Sequence, residues 1–143
     1  MKAFSFSMQK ILDFREFQEK QAELELGKAN AEVARIQNEL NAVAQQRVNV
    51  TKEVDGSNDI ALYASAQNYF KFLKQKEEQY LEEMAQAQLV AEEKKKIVRE
   101  AMQKVKVLDK LKEKKRAEWQ EEYLQQEELA MDDVVTAQYN GKK

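Results

Sequence analysis

The sequence predicts an all-α fold, a long two-helix antiparallel coiled coil folded as a helical hairpin. Three observations carry this. First, the 143 residues include no proline, no cysteine and no histidine, with 35% charged and only 8% aromatic residues. That balance suits long helices with a narrow apolar seam better than a ball-shaped core. Second, two separate stretches repeat apolar residues every 3.5 positions, the coiled-coil period. Third, one cluster of turn-favouring residues, Asp55-Gly56-Ser57-Asn58-Asp59, lies between them. We expect a single elongated coiled-coil domain over 1–143, with a first arm over about 7–54, a corner at 55–59 and a second arm over about 60–139.

The first arm opens at Phe4-Ser5-Phe6-Ser7. Ser7 is the expected N-cap, because its hydroxyl can satisfy a free amide of the first turn. Phe6 would then close over Ile11 as a hydrophobic staple. Stepping by four and three from Ala22 gives Leu26, Ala29, Val33, Ile36, Leu40, Val43, Arg47, Val50 and Val54. All but Arg47 are apolar, too many for chance in so polar a chain. Upstream, Phe4, Met8 and Ile11 continue a seam that Arg15 and Gln18 interrupt. The spacing from Ile11 to Ala22 reads as a stutter that locally unwinds the supercoil. Gly27 sits inside the helix, either for close approach of the second arm or by simple tolerance.

The second arm begins after Asn58 or Asp59 as cap. The same stepping from Ala66 gives Phe70, Leu73, Glu77, Tyr80, Met84, Ala87, Ala91, Lys94, Val98, Ala101, Val105 and Leu108. Beyond Leu108 the pattern collapses into Lys112, Lys115, Trp119, Glu122 and Gln126. Folding the chain at its corner explains why. The partners of the first arm, which starts near Phe6, end near Leu108 and Leu111. At 1.5 Å per residue each paired arm is roughly 70 Å long, and the second overhangs by about 25 residues. The expected seam therefore contains Leu26, Val33, Ile36, Leu40, Val43, Val50, Phe70, Met84, Val98, Val105 and Leu108.

The residues point away from catalysis. No His or Cys exists to act as base, nucleophile or transition-metal ligand, and the three glycines are isolated. We expect no catalytic residue, no metal, no cofactor and no enzyme activity. The near-neutral net charge of −2 gives no general bias towards nucleic acid or membrane. No stretch approaches the roughly 20 apolar residues of a membrane span, nor does the N-terminus read as a signal peptide. A cytoplasmic protein is expected.

Charge is segregated along the second arm. Residues 92–116 hold eleven Lys/Arg against five acids, and 117–133 hold seven acids and no base. The basic block lacks the aromatic platforms of single-strand binders, so a solvated face beside the seam is the favoured reading. Two aromatic groups stand out. Tyr69, Phe70, Phe72 and Leu73 crowd one turn, and Tyr69, Leu73, Lys76 and Tyr80 form a stripe. It either packs on the 60–66 segment or anchors a partner. Phe4, Phe6, Trp119, Tyr123 and Leu124 fall near the open end, where they either pack on each other or dock into another protein.

The opening Phe4-x-Phe6-x-Met8-x-x-Ile11-Leu12-x-x-Arg15, the Glu/Ala-rich first arm, Tyr69-x-x-x-Leu73, and the acidic close Glu127-Glu128-x-x-x-Asp132-Asp133 resemble the FliJ family of flagellar export proteins. The resemblance covers nearly the whole chain. It implies a coiled coil similar to the central stalk of rotary ATPases, a non-enzymatic part of the type III export apparatus. The open end would insert into the ring of the export ATPase (FliI-like) and promote its assembly, through Phe4, Phe6, Met8, Trp119 and Tyr123. Tyr69, Leu73, Lys76 and Tyr80 would contact the export gate (FlhA-like), although Lys76 stands where the family carries an apolar residue. Escort of export chaperones and a place peripheral to the inner membrane at the flagellar base are also implied, without nucleic-acid binding or membrane insertion. The rival readings are a structural coiled coil that dimerises and a general secretion chaperone.

Overall fold

A computed structural model describes residues 3–141. It contains two helices, α1 (Gln9–Val54) of 46 residues and α2 (Ile60–Gly141) of 82 residues, arranged as an antiparallel helical hairpin. Packing divides the chain into two compact units, one of Lys20–Arg99 and one of Met1–Glu19 with Glu100–Lys143.

The unit of Lys20–Arg99 contains the corner. Gly56 sits at φ 79°, a left-handed conformation that costs glycine nothing and strains other residues. The turn is closed by the Ser57 N–H donating to the Val54 carbonyl at 3.0 Å. Asp59 caps α2: its Oδ1 accepts from the N–H groups of Ala61 (2.9 Å) and Leu62 (3.3 Å). Asp59→Ala is expected to cost about 1 kcal/mol in urea unfolding, because two amides of the first turn lose their partner. A methyl group at Gly27 would meet nothing within 4 Å, so close approach does not explain this glycine. Gly27→Ala should therefore raise stability by about 0.5–1 kcal/mol, read from the same denaturation curve.

The core of this unit is the seam. Ile36 and Leu73 are each 1% exposed, and Ile36, Met84 and Ala87 form a cluster with Val33, Leu40 and Tyr80 packed against it. Val43, Val54, Ala66 and Val98 are buried, and Leu26, Val50 and Phe70 are half-buried. The polar seam positions are used rather than wasted: Arg47 reaches Glu77 across the pair at 3.0 Å. Arg35 lies 3.8 Å from Glu83 and pairs with Glu32 one turn away. These pairs are exposed, so they fix register more than they add stability.

In the other unit the start of α1 lies against the later part of α2. Phe6, Leu12, Val105 and Leu108 form its buried cluster, flanked by Phe4, Met8 and Leu111. Here three expectations are corrected. Helix α1 begins at Gln9, with Met8 accepting its first i→i+4 bond from the Leu12 N–H at 3.0 Å, so Ser7 precedes the capping position. Phe6 packs on Leu12, 2% exposed, whereas Ile11 is 46% exposed. And there is no stutter: inward-facing positions run Met8, Leu12, Arg15, Glu19, Ala22 in unbroken steps of four and three, each buried or half-buried. The cause is the length of Arg15 and Glu19, whose aliphatic stems can line the seam while their charged ends reach water.

Candidate interaction sites

In the unit holding both ends of the chain, Phe4, Trp119 and Tyr123 form an aromatic row. The Phe4 and Trp119 ring centroids are 6.0 Å apart with planes at 53°, and Trp119 and Tyr123 stack at 5.6 Å and 28°. Trp119 and Tyr123 are one turn apart on α2, which aligns their rings. Phe4 comes from the segment ahead of α1. All three are half-buried. Beside them an open crevice is lined by Phe4, Phe6, Lys115, Glu118, Trp119 and Glu122. A hydrogen bond to the Glu127 carboxylate holds the Tyr123 phenol above its ordinary value. Of the five residues that the family resemblance would place at an ATPase ring, the structure brings Phe4, Trp119 and Tyr123 together at the surface. Phe6 is 8% exposed, a foundation of this group rather than a face of it. Met8 lies half-buried against the same cluster.

In the other unit, the Tyr69 hydroxyl donates to Gln46 Oε1 at 2.8 Å and the Tyr80 hydroxyl to Glu39 Oε2 at 3.3 Å. Both tyrosines thus straddle α1 and α2. Leu73 is a seam residue with no exposed surface to offer. Phe72, outside the stripe read from sequence, is 49% exposed, stacks on Tyr69 at 6.0 Å, and carries the Lys76 ammonium 5.8 Å from its ring centre. The 60–66 segment belongs to the first turns of α2, so it cannot fold back over these rings. The accessible patch is Tyr69, Phe72, Lys76 and the edge of Tyr80.

Desolvation, then the charge of Glu39 and the bond to it, raise the Tyr80 phenol above its ordinary value. A proton held more tightly in the folded state stabilises it up to the ordinary phenol value, and that contribution is lost as pH rises through the higher folded one. In a phenolate absorbance titration Tyr80 and Tyr123 should both ionise late, and Tyr80→Phe should remove the share of that late component that belongs to Tyr80.

Sequence reasoning passed over most of two exposed apolar groups, naming only Leu124 among them. Phe14 (54%) and Phe17 (57%) lie off the seam near the start of α1. Leu124, Met131, Val134 and Val135 lie in the last turns of α2, each more than half exposed. The signal for both is helical spacing out of phase with the seam. Among the described residues no group of carboxylates could hold a metal ion, and no helix is long and apolar enough to cross a membrane.

The chain matches the family described as flagellar FliJ protein over residues 4–143, essentially its whole length. It belongs to the FliJ family. No curated protein and no solved structure matches it. FliJ proteins are components of the flagellar protein export apparatus, and the family is a structural, export-related one rather than a known enzyme family. Both aromatic groups of this FliJ protein lie where α1 or its leading segment meets α2.

Proposed function

We propose that this FliJ protein is a stalk-like component of the export apparatus that docks into a FliI-like ATPase ring through the aromatic row Phe4, Trp119 and Tyr123. The observation that carries the reading is that row: half-exposed rings from the two ends of the chain, seated on the buried Phe6–Leu12–Val105–Leu108 cluster. Rigid aromatic anchors on a fixed base bind with little loss of side-chain freedom. The ring is promoted to assemble, and the patch of Tyr69, Phe72, Lys76 and Tyr80 contacts an FlhA-like export gate, coupling the two. Export chaperones are further partners, and the protein works on the cytoplasmic face of the inner membrane at the flagellar base.

The test is ATP hydrolysis and ring assembly by the same organism's export ATPase, with and without this protein. Stimulation at about one chain per ring is expected. Trp119→Ala should weaken the apparent affinity about 30-fold, the effect of losing one strong anchor, with helicity by circular dichroism unchanged. No stimulation by the wild-type chain, together with a stable self-contained dimer in sedimentation, would replace this reading with a structural coiled coil.

A further inference from the structure

The last turns of α2 carry a surface that neither aromatic group accounts for. Every residue from 124 to 141 is exposed. Leu124 (61%), Met131 (65%) and Val135 (59%) follow one another at seven and four residues, with Ala117 seven residues earlier and Val134 (53%) beside them. Steps of four and three along this row give Ala117, Glu121, Leu124, Glu128, Met131 and Val135, a coiled-coil spacing in which apolar and acidic positions alternate as far as Met131, here without a second strand against it. Its flanks are of one sign. Residues 117–141 contain Glu118, Glu121, Glu122, Glu127, Glu128, Asp132 and Asp133, and no Lys or Arg. Glu118 with Glu122, and Glu128 with Asp132, stand four apart, a like-charge spacing that destabilises a helix on its own.

We infer that this row is a docking site for a basic amphipathic helix of a partner protein, one with apolar residues at steps of three and four and Lys or Arg on either side. Charge selects this occupant. A second copy laid along the same row would set seven carboxylates against seven, in parallel or antiparallel register. The apolar row of the chain's own basic block, 92–116, is already buried at Val98, Val105 and Leu108, and its exposed Ile97, Met102 and Val107 stand five residues apart on different faces, so a second copy has no matching row to present. An anionic lipid surface is repelled by the same acids. A cationic helix covers Leu124, Met131 and Val135 and relieves the repulsion along α2. Apart from Glu118 and Glu122, which also line the crevice beside Trp119, the residues of this site lie outside the ring-docking row.

The experiment uses the full-length protein and a fluorescein-labelled model helix, with Leu at steps of three and four and Lys elsewhere, against a scrambled isomer of equal composition. Fluorescence anisotropy should show the patterned peptide binding about tenfold or more tighter than the scrambled one. The triple variant Leu124→Asn, Met131→Asn, Val135→Asn should lose that preference. The variant Glu121→Gln, Glu128→Gln, Asp132→Gln should weaken binding of both peptides and flatten its dependence on salt. Trp119→Ala should bind the patterned peptide as the wild type does, which separates this site from the ring contact. Equal affinity for the two peptides, or a preference that survives in the apolar triple variant, would overturn the proposal. So would a wild-type chain that self-associates where the triple variant sediments as a monomer.

Discussion

Ile36→Asp is expected to unfold the unit around the corner. Ile36 is 1% exposed and sits among Met84, Ala87, Val33, Leu40 and Tyr80. Removing a buried branched side chain alone costs about 2–5 kcal/mol. The carboxylate adds either an unpaired charge in an apolar layer or the work of protonating it. Together these approach the whole stability of a small domain, about 5–15 kcal/mol. A two-stranded seam is one layer thick and has no second core to absorb the loss. Helical circular dichroism should fall at low urea or be absent without denaturant. Leu89→Asp, at a side chain 65% exposed on α2, should move the midpoint by no more than about 0.5 kcal/mol. Equal effects of the two substitutions would show that the seam does not hold the helices together.

Leu12→Ala and Ile11→Ala make a sharper pair, since both residues are adjacent, apolar and helical. Leu12 is 2% exposed in contact with the buried cluster of its unit, and Ile11 is 46% exposed. Leu12→Ala should cost about 2–4 kcal/mol, the transfer term plus a cavity bounded by Phe6, Val105 and Leu108. Ile11→Ala should cost under about 1 kcal/mol, since nearly half of the side chain is already in water. The reverse order would restore the stutter and place Ile11 inward. Because Phe4 packs on the same cluster, Leu12→Ala should also loosen the aromatic row, seen as a red shift in the fluorescence of Trp119, the chain's only tryptophan.

How far the fold was legible follows from the period of its seam. From Ala22 to Val54 and from Ala66 to Leu108, every position reached by steps of four and three is buried or half-buried, Arg47, Glu77 and Lys94 included. Near the start of α1 two seam positions hold Arg15 and Glu19, and hydrophobicity then favours Ile11 over Leu12, one residue out of phase. The aromatic groups were legible as clusters but not as surfaces. Leu73 falls in both the seam and the Tyr69–Tyr80 stripe, and only packing assigns it to the seam. Phe72 was legible in the crowded turn but left out of the stripe, because its spacing from Tyr69 and Tyr80 does not match i, i+4, i+7, i+11; the stacking on Tyr69 and the nearby Lys76 ammonium make it the exposed centre of the patch.

By itself the sequence determined that two helices meet at Asp55–Asp59 and pair in antiparallel fashion, because a 3.5-residue period broken by a single turn cluster lets the two apolar rows cover each other within one chain. It also determined where the second row stops, since nothing of α1 remains to cover it. The tertiary structure decided which of two neighbouring apolar residues faces inward, which aromatic rings support and which are presented, and which polar groups cross between the helices. Those outcomes depend on side-chain length and on what lies opposite, as with Tyr80 and Glu39 or Phe4 and Trp119, residues far apart in the chain. A periodic pattern records the facing direction of a helix but not the partner that each side chain meets there.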